Sequence, residues 1–454
     1  EVAAEGLFWG FFSDKGAFGE VDISEVFAEL QLPFKFDKPL VKELTFNLSG
    51  RLTDHEFYGE NETHSVKVGY RPSEPFLIRA TYGTAFRAPN NRELFLLGST
   101  GFTTVFDPCY IPESALGGVG DPVEGAYIPE RDQRDPEVLA NCRATGVDPT
   151  LANNGGFNSF STEVQTGGSL TLDPEESESY SYGFAYEQDF SNKFDLSLGM
   201  TYYSVKVENT VIEPSTGYII SDCLYDEAGT GASVFCDRIE RDLSDPTDPR
   251  IQLMDLGFLN RDLERARGID YNLSFRDTLD IGVPVDLQIV LAVNRNLERS
   301  LTFTNPDGTV DYESYEGEWG FSEWRAQSGV VLSWDRWRFN WQTRYLGAVA
   351  QDPEAVDDFS DAFTFSDTCL GPPDDELCRD YGETGSYMVH SLSLGYRGDS
   401  FYLGMGVRNL EDKAPPLADP SEVSGVKARA IGYGYDLMGR SFFVNATYNF
   451  DLAF

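Results

Sequence analysis

Residues 441–454 read SFFVNATYNFDLAF, and the stretch alternates with period two up to a terminal phenylalanine. Phe442, Val444, Ala446, Tyr448, Phe450, Leu452 and Phe454 fall on one face, whereas Ser441, Asn445, Thr447, Asn449 and Asp451 fall mostly on the other. The pattern predicts a strand with one apolar and one wet side. A soluble sandwich and a membrane barrel both use such strands. A barrel must repeat the pattern along the whole chain.

Composition narrows the field. The chain has 454 residues with Lys+Arg 35 against Asp+Glu 75, a formal charge of −40. Such a polyanion lacks the clustered cations that phosphate contacts require, so nucleic acid is excluded as a partner. Aromatics at 14% and hydrophobics at 41% argue against disorder, and the Tyr and Phe excess favours strands over helices. No apolar run reaches the roughly 18 residues of a membrane helix. A membrane role must therefore use a barrel, the other structure that satisfies its backbone inside lipid. Residue 1 is Glu and no signal segment follows it, so the chain is expected to have been processed or cut.

Two-faced segments recur from about residue 23. Leu44, Phe46 and Leu48 alternate with Thr45 and Asn47, and Ile78, Ala80, Tyr82 and Phe86 oppose Arg79, Thr81, Gly83 and Arg87. The series continues through Tyr180 to Tyr186, Leu196 to Tyr202, Ile269 to Phe275, Val285 to Val293 and Trp337 to Trp341. With the last strand the count reaches about thirteen. Connections alternate between short and long, the long ones at 96–174, 213–260 and 352–383. Loop lengths separated by parity predict an all-β transmembrane antiparallel barrel, with short turns on one rim and long loops on the other. A soluble core would not carry Arg, Asp and Gln on nearly every inner position.

Six cysteines follow that parity. Cys109 and Cys142 fall in the first long loop, Cys223 and Cys236 in the second, Cys369 and Cys378 in the third. None has C-x-x-C spacing, so three disulfides within loops and an oxidising compartment are expected. Acids crowd the same loops, including Asp352, Glu354, Asp357, Asp358 and Asp361, then Asp374, Asp375 and Glu376. They read as a solvated acidic surface; a calcium site built from them is the alternative, and no other cofactor is expected. Three histidines, His55, His64 and His390, and the absence of a G-x-S-x-G motif give no basis for an enzyme.

Tyr82-Gly83-Thr84-Ala85-Phe86-Arg87-Ala88-Pro89-Asn90-Asn91-Arg92-Glu93-Leu94-Phe95 resembles the mid-barrel signature of TonB-dependent outer-membrane receptors, close to Y-x-x-x-F-R-A-P-x-x-x-E-L-F. Ala28-Glu29-Leu30 with Pro33, Gly268-Ile269-Asp270, and Asn409-Leu410-Glu411-Asp412-Lys413 with Pro415 resemble three further family strands in the family's order. Phe454 resembles the terminal aromatic of its closing strand. Tyr82, Phe86, Arg87, Pro89, Glu93, Asn409 and Phe454 are thus the motif residues. Arg87 and Pro89 read as a strand leaving the membrane, and Asn409 as a turn into the last extracellular loop.

The resemblance implies residence in the bacterial outer membrane and a barrel of about 22 strands closed around a plug. Neither plug nor coupling box is visible here, so residues 23–454 are expected to be the C-terminal part of the barrel. Residues 1–22 are expected to be the remnant of an extracellular loop where the protein was nicked. Partners implied are the lipid bilayer, an N-terminal chain bearing the plug and remaining strands, the TonB complex acting through that chain, and a scarce nutrient. The expected function is energised uptake of a siderophore, carbohydrate or peptide; a passive porin-like channel or a surface-binding barrel is the alternative. Arg79, Arg87, Arg338 and Arg344 are candidates for a positive lumen. Phe102, Phe106, Tyr110, Tyr127, Phe157 and Phe160 are candidates for stacking on ligand or for packing within loops.

Overall fold

The structure is a computed structural model. It describes residues 16–118, 123–190, 194–225, 233, 235–304, 310–350, 383–416, 425–426, 429–430 and 432–450. Period-two alternation resolves into one antiparallel meander of thirteen strands. They are β1 Ile23–Lys38, β2 Val41–His55, β3 Gly59–Ser73, β4 Phe76–Arg87 and β5 Glu175–Asp189. β6 Phe194–Ile212, β7 Leu259–Asp280, β8 Pro284–Thr304 and β9 Trp324–Trp334 follow. β10 Trp337–Leu346, β11 Tyr387–Arg397, β12 Phe401–Arg408 and β13 Ser441–Tyr448 complete the path. Val310–Ser314 adds a side strand to the upper part of β8. The regular part of the terminal strand stops at Tyr448; Asn449 N–H still donates to Ser400 O at 2.8 Å, and Phe454 lies outside the described residues.

Every strand pairs with its sequence neighbours, so a single parity of side chains runs around the sheet. Leu30, Leu48 and Val66 are aligned cross-strand, as are Val68 and Ala80, and further on Leu273 and Leu291, then Trp341 and Leu392. The opposite face aligns Gln31 with Asn47 and Lys67, and later Gln342 with Ser391. This is the apolar-out, polar-in register of a membrane barrel. Exposed Val26, Phe27, Leu30, Phe442 and Val444 mark strands with no protein packed over them on the described sheet.

Connections fall on two rims. The connections 39–40, 74–75, 190–193, 281–283, 335–336 and 398–400 are short and join strand ends on one rim; Asp335, at φ 49°, closes the tight Trp334–Trp337 hairpin. The connections 88–174, 213–258, 305–323, 347–386 and 409–440 join strand ends at the other rim, as does a tight turn at 56–58. β7 has 22 residues, about 70 Å of extended chain, whereas a membrane crossing needs about 9–11 residues. The central strands therefore continue well beyond the bilayer on the long-loop side.

The largest buried cluster lies on that side, where Phe303 at the end of β8 and Leu259 at the start of β7 join it. Strands Ser99–Phe106, Ser159–Thr166, Ile251–Asp255 and Ile239–Arg241 form a four-stranded sheet. It draws two strands from the 88–174 connection and two from the 213–258 connection. The junction is a parallel pairing of Leu253 with Glu163. Two helices, Pro136–Ala144 and Thr216–Tyr225, pack on it around Tyr110, Val138, Ile219, Leu224 and Met254. Sequence reading treats the two loops as separate; the structure joins them into one module.

Candidate functional site

The inward face of the sheet carries the arginines expected there. Arg79 aligns with Gly69 and Gly183 and donates to Thr201 Oγ1 at 2.9 Å. Arg338 aligns with Ser333 and Gly395, and Arg344 with Gln327 and Val389. Arg344 faces a cavity of about 810 Å³ that is also lined by Asn272, Gln327, Gln342, Arg408 and Tyr435. Its Nε is buried with no hydrogen-bond partner among the described residues. Arg325 and Arg408 share this face and were not singled out from sequence, although the same alternation marks them.

The motif around Arg87 is a structural joint. Arg87 leaves the last position of β4 and forks onto Glu175 of β5, with Nε donating at 2.5 Å and Nη2 at 2.7 Å. Its Nη1 reaches Glu93 at 3.0 Å. Pro89 ends ladder donation, and Asn90 caps the short helix Asn91–Phe95 by accepting from Arg92 N at 2.9 Å and Glu93 N at 3.1 Å. Glu93 returns to Asn90 N–H at 2.7 Å, closing a capping box. One guanidinium thus fixes two strands and the first turn of the long connection. Tyr82 and Phe86 share the outward parity of that strand, where Tyr82 O–H donates to Glu178 at 3.3 Å.

Asn409 is buried and left-handed, at φ 48°. Its Nδ2 donates to Lys413 O and its Oδ1 accepts from Lys413 N–H, both at 2.8 Å. The residue turns the chain out of β12 into the 409–440 connection.

In the module, Cys109 is bonded to Cys142 and Cys223 to Cys236. Cys369, Cys378 and the acids from Asp352 to Glu376 lie outside the described residues. Among the described residues no group of three or more His, Cys, Asp or Glu side chains is placed to hold a metal ion. The module is braced instead by two arginines that no motif marked. Arg134 donates to the carbonyls of Pro108, Cys109, Tyr110 and Pro149 and pairs with Asp132 at 2.7 Å. That hydrogen bond holds the Asp132 carboxyl down at about 2. Arg241 pairs with Asp107, whose side chain is fully buried. Burial and its hydrogen bond to Asp248 push the Tyr110 phenol up.

The loop aromatics divide between two uses. Tyr110 is wholly buried and Phe160 packs against it with ring centroids 5.5 Å apart, whereas Phe102, Phe106 and Phe157 are exposed. Tyr127 donates to Asp132 at 2.8 Å. The histidines are absorbed structurally: buried His55 accepts from Phe57 N–H at 3.2 Å, and His390 hydrogen-bonds Thr343 and Trp341 on the outward face.

Comparison with known proteins gives this geometry its family. The sequence pattern described as "TonB dependent receptor-like, beta-barrel" matches residues 8–410. The chain belongs to the TonB-dependent receptor β-barrel family. Barrels of this family reside in the bacterial outer membrane, and the family is one of receptors, not enzymes. A search of curated proteins found no match.

Solved siderophore receptors share the fold. A point mutant of the ferric enterobactin receptor PfeA from Pseudomonas aeruginosa aligns with TM-score 0.50 at 15% identity, covering 95% of this chain and 45% of that one. The siderophore receptor PirA from Acinetobacter baumannii aligns with TM-score 0.49 at 13% identity, covering 95% and 46%. The chain spans less than half the length of these receptors.

Proposed function

We propose that this chain forms the C-terminal part of the barrel of an outer-membrane receptor that imports a scarce nutrient using energy delivered through TonB. The family match over residues 8–410 supports this reading most directly. Two structural features agree with it: a polar inner face running the height of the sheet, and a disulfide-braced module standing over the long-loop rim. The nutrient classes carried forward are siderophore, carbohydrate and peptide.

In the described sheet β1 and β13 each have one paired neighbour. Unpaired N–H and C=O groups in lipid cost several kcal/mol each, so the reading requires further strands beside both edges. We assign those strands, the plug and the contact with TonB to protein outside these residues. A denaturing gel of the receptor purified from outer membranes distinguishes one continuous polypeptide from two associated pieces. The functional test is uptake by whole cells before and after collapse of the proton gradient. Uptake that stops supports the energised receptor; flux that persists supports a passive channel.

A further inference from the structure

From β9 to β13 the outward parity of the sheet is apolar except along one row. Leu332 and Val330 of β9 align with Phe339 and Trp341 of β10, and these with Leu394 and Leu392 of β11. The row that breaks the pattern comes next: Ser328 of β9 aligns with Thr343 of β10, and Thr343 with His390 of β11. Apolar residues resume beyond it with Ala326, Tyr345 and Met388, and Leu291 of β8 closes the row on one side. Leu410 follows on the other side, where its N–H donates to His390 O at 2.8 Å. A short polar stripe is thus enclosed by apolar side chains on the face turned to lipid.

His390 is half-buried, and both of its side-chain contacts end on one nitrogen. Trp341 Nε1 donates to Nδ1 at 3.2 Å, and Thr343 Oγ1 lies 2.9 Å from the same atom. An indole N–H only donates, so Nδ1 accepts and the ring proton sits on Nε2. Nε2 has no hydrogen-bond partner among the described residues. Trp341 and Met388, each 42% exposed, flank the ring on the lipid side. The neighbouring strands set its height. β12 and β13 have 8 residues each, close to the roughly 9–11 of one crossing, and end together at Arg408 and Ser441. The bond from Leu410 places His390 level with that end, at the boundary of the apolar core. A donor left without an acceptor there is costly. In a bilayer the oxygens nearest the hydrocarbon are the ester carbonyls that join acyl chains to the headgroup.

We propose that the Ser328–Thr343–His390 row is a lipid-binding site on the outside of the barrel, where His390 Nε2–H donates to an ester carbonyl oxygen of one acyl lipid in the leaflet on the long-loop side. An acyl chain lies over Trp341 and Leu392, and the headgroup extends past Tyr345 and Met388 toward water. Depth and charge select the carbonyl over a phosphate. Apolar residues stand on both sides of the row, and the row holds none of the arginines or lysines that a phosphate calls for. Trp341 acts as the positioning residue, since its indole fixes which imidazole nitrogen faces the lipid. The site lies on the opposite face of the sheet from any solute path, so it stands apart from the nutrient that the receptor imports.

The test is native mass spectrometry of the intact, detergent-purified receptor, which counts bound lipid during titration. The probes are a diester phosphatidylglycerol and its diether analogue, which keeps headgroup and chains but lacks both carbonyls. The diester is expected to fill one site about fivefold more tightly than the diether, the effect of one neutral hydrogen bond. His390→Phe keeps an aromatic ring without the donor and brings the diester down to the affinity of the diether. Phe401→Leu, a lipid-facing change at the short-turn rim, leaves the difference intact. A circular-dichroism melt matching the parent shows that each variant is folded. Equal affinity for the two lipids in the parent overturns the proposal, since water then satisfies the donor. A preference that survives His390→Phe overturns it as well. So does binding that disappears with a diacylglycerol, which keeps the esters and lacks the phosphate. Uptake of nutrient enters none of these readings, so energised transport and lipid binding can fail separately.

Discussion

Arg241 and Asp107, 134 residues apart in sequence, meet at 2.5 Å with side chains 4% and 0% exposed. Each comes from a different long connection, so this buried ion pair joins the two halves of the long-loop module. A second Arg241 nitrogen reaches the other carboxylate oxygen at 3.1 Å, and Asp107 also accepts from Cys109 N–H at 3.0 Å. The pair is satisfied on several sides, which is the condition under which a buried ion pair is tolerated.

Removing one partner strands the other charge. Asp107→Ala is expected to cost the module about 3–5 kcal/mol. Limited proteolysis should then cut within 88–174 or 213–258, while the barrel keeps its resistance to denaturation by detergent at room temperature. Equal protease resistance in the variant and the parent would refute the role given to this pair.

The two disulfides brace the same core at different ranges, with sequence separations of 33 and 13. Chain-entropy estimates give each about 3–4 kcal/mol, the larger share going to Cys109–Cys142. Replacing both members of a pair with Ser should lower the urea midpoint of the module more for Cys109/Cys142 than for Cys223/Cys236. Peptide mapping without reduction should recover both bridges within their own loops.

Acid should loosen the module in a defined window. Asp132 is held at about 2 by the Arg134 hydrogen bond, against an ordinary value of 3.8. The folded-state value is depressed, so the contribution is fully present above about pH 4 and is lost as pH falls through about 2. Its size is about 2 kcal/mol, and the Asp132 side chain is only 3% exposed. Asp132→Asn should flatten the pH dependence of module unfolding between pH 4 and 2 and lower its stability at pH 7. An unchanged slope in that variant would mean that another carboxylate carries the transition.

At Asn409, strain and hydrogen bonding can be separated. Asn409→Ala places a methyl side chain at φ 48° and removes both bonds to Lys413, an expected loss of about 2–4 kcal/mol. Asn409→Gly relieves the backbone strain and loses only the bonds. Melting temperatures should therefore fall in the order parent, Gly variant, Ala variant; an Ala variant as stable as the Gly variant would show that the left-handed turn carries no strain.

Alternation along the chain was enough to place the strands, their two faces and the separation of short from long connections. Side-chain direction in a strand is a local property that repeats every two residues. The same rule put Arg79, Arg338 and Arg344 on one face, and sequence proximity paired Cys109 with Cys142 and Cys223 with Cys236. Tertiary structure decided what those side chains meet: Arg79 finds Thr201, Arg87 finds Glu175, and Arg344 makes no ion pair among the described residues but shares a cavity with Gln327, Gln342 and Arg408. It also built one core from two loops through Arg241, Arg134 and the parallel pairing of Leu253 with Glu163. Loop segments carry no repeating period, and their contacts close over more than a hundred residues, so the partner of a buried charge there is fixed only once the chain has folded back on itself.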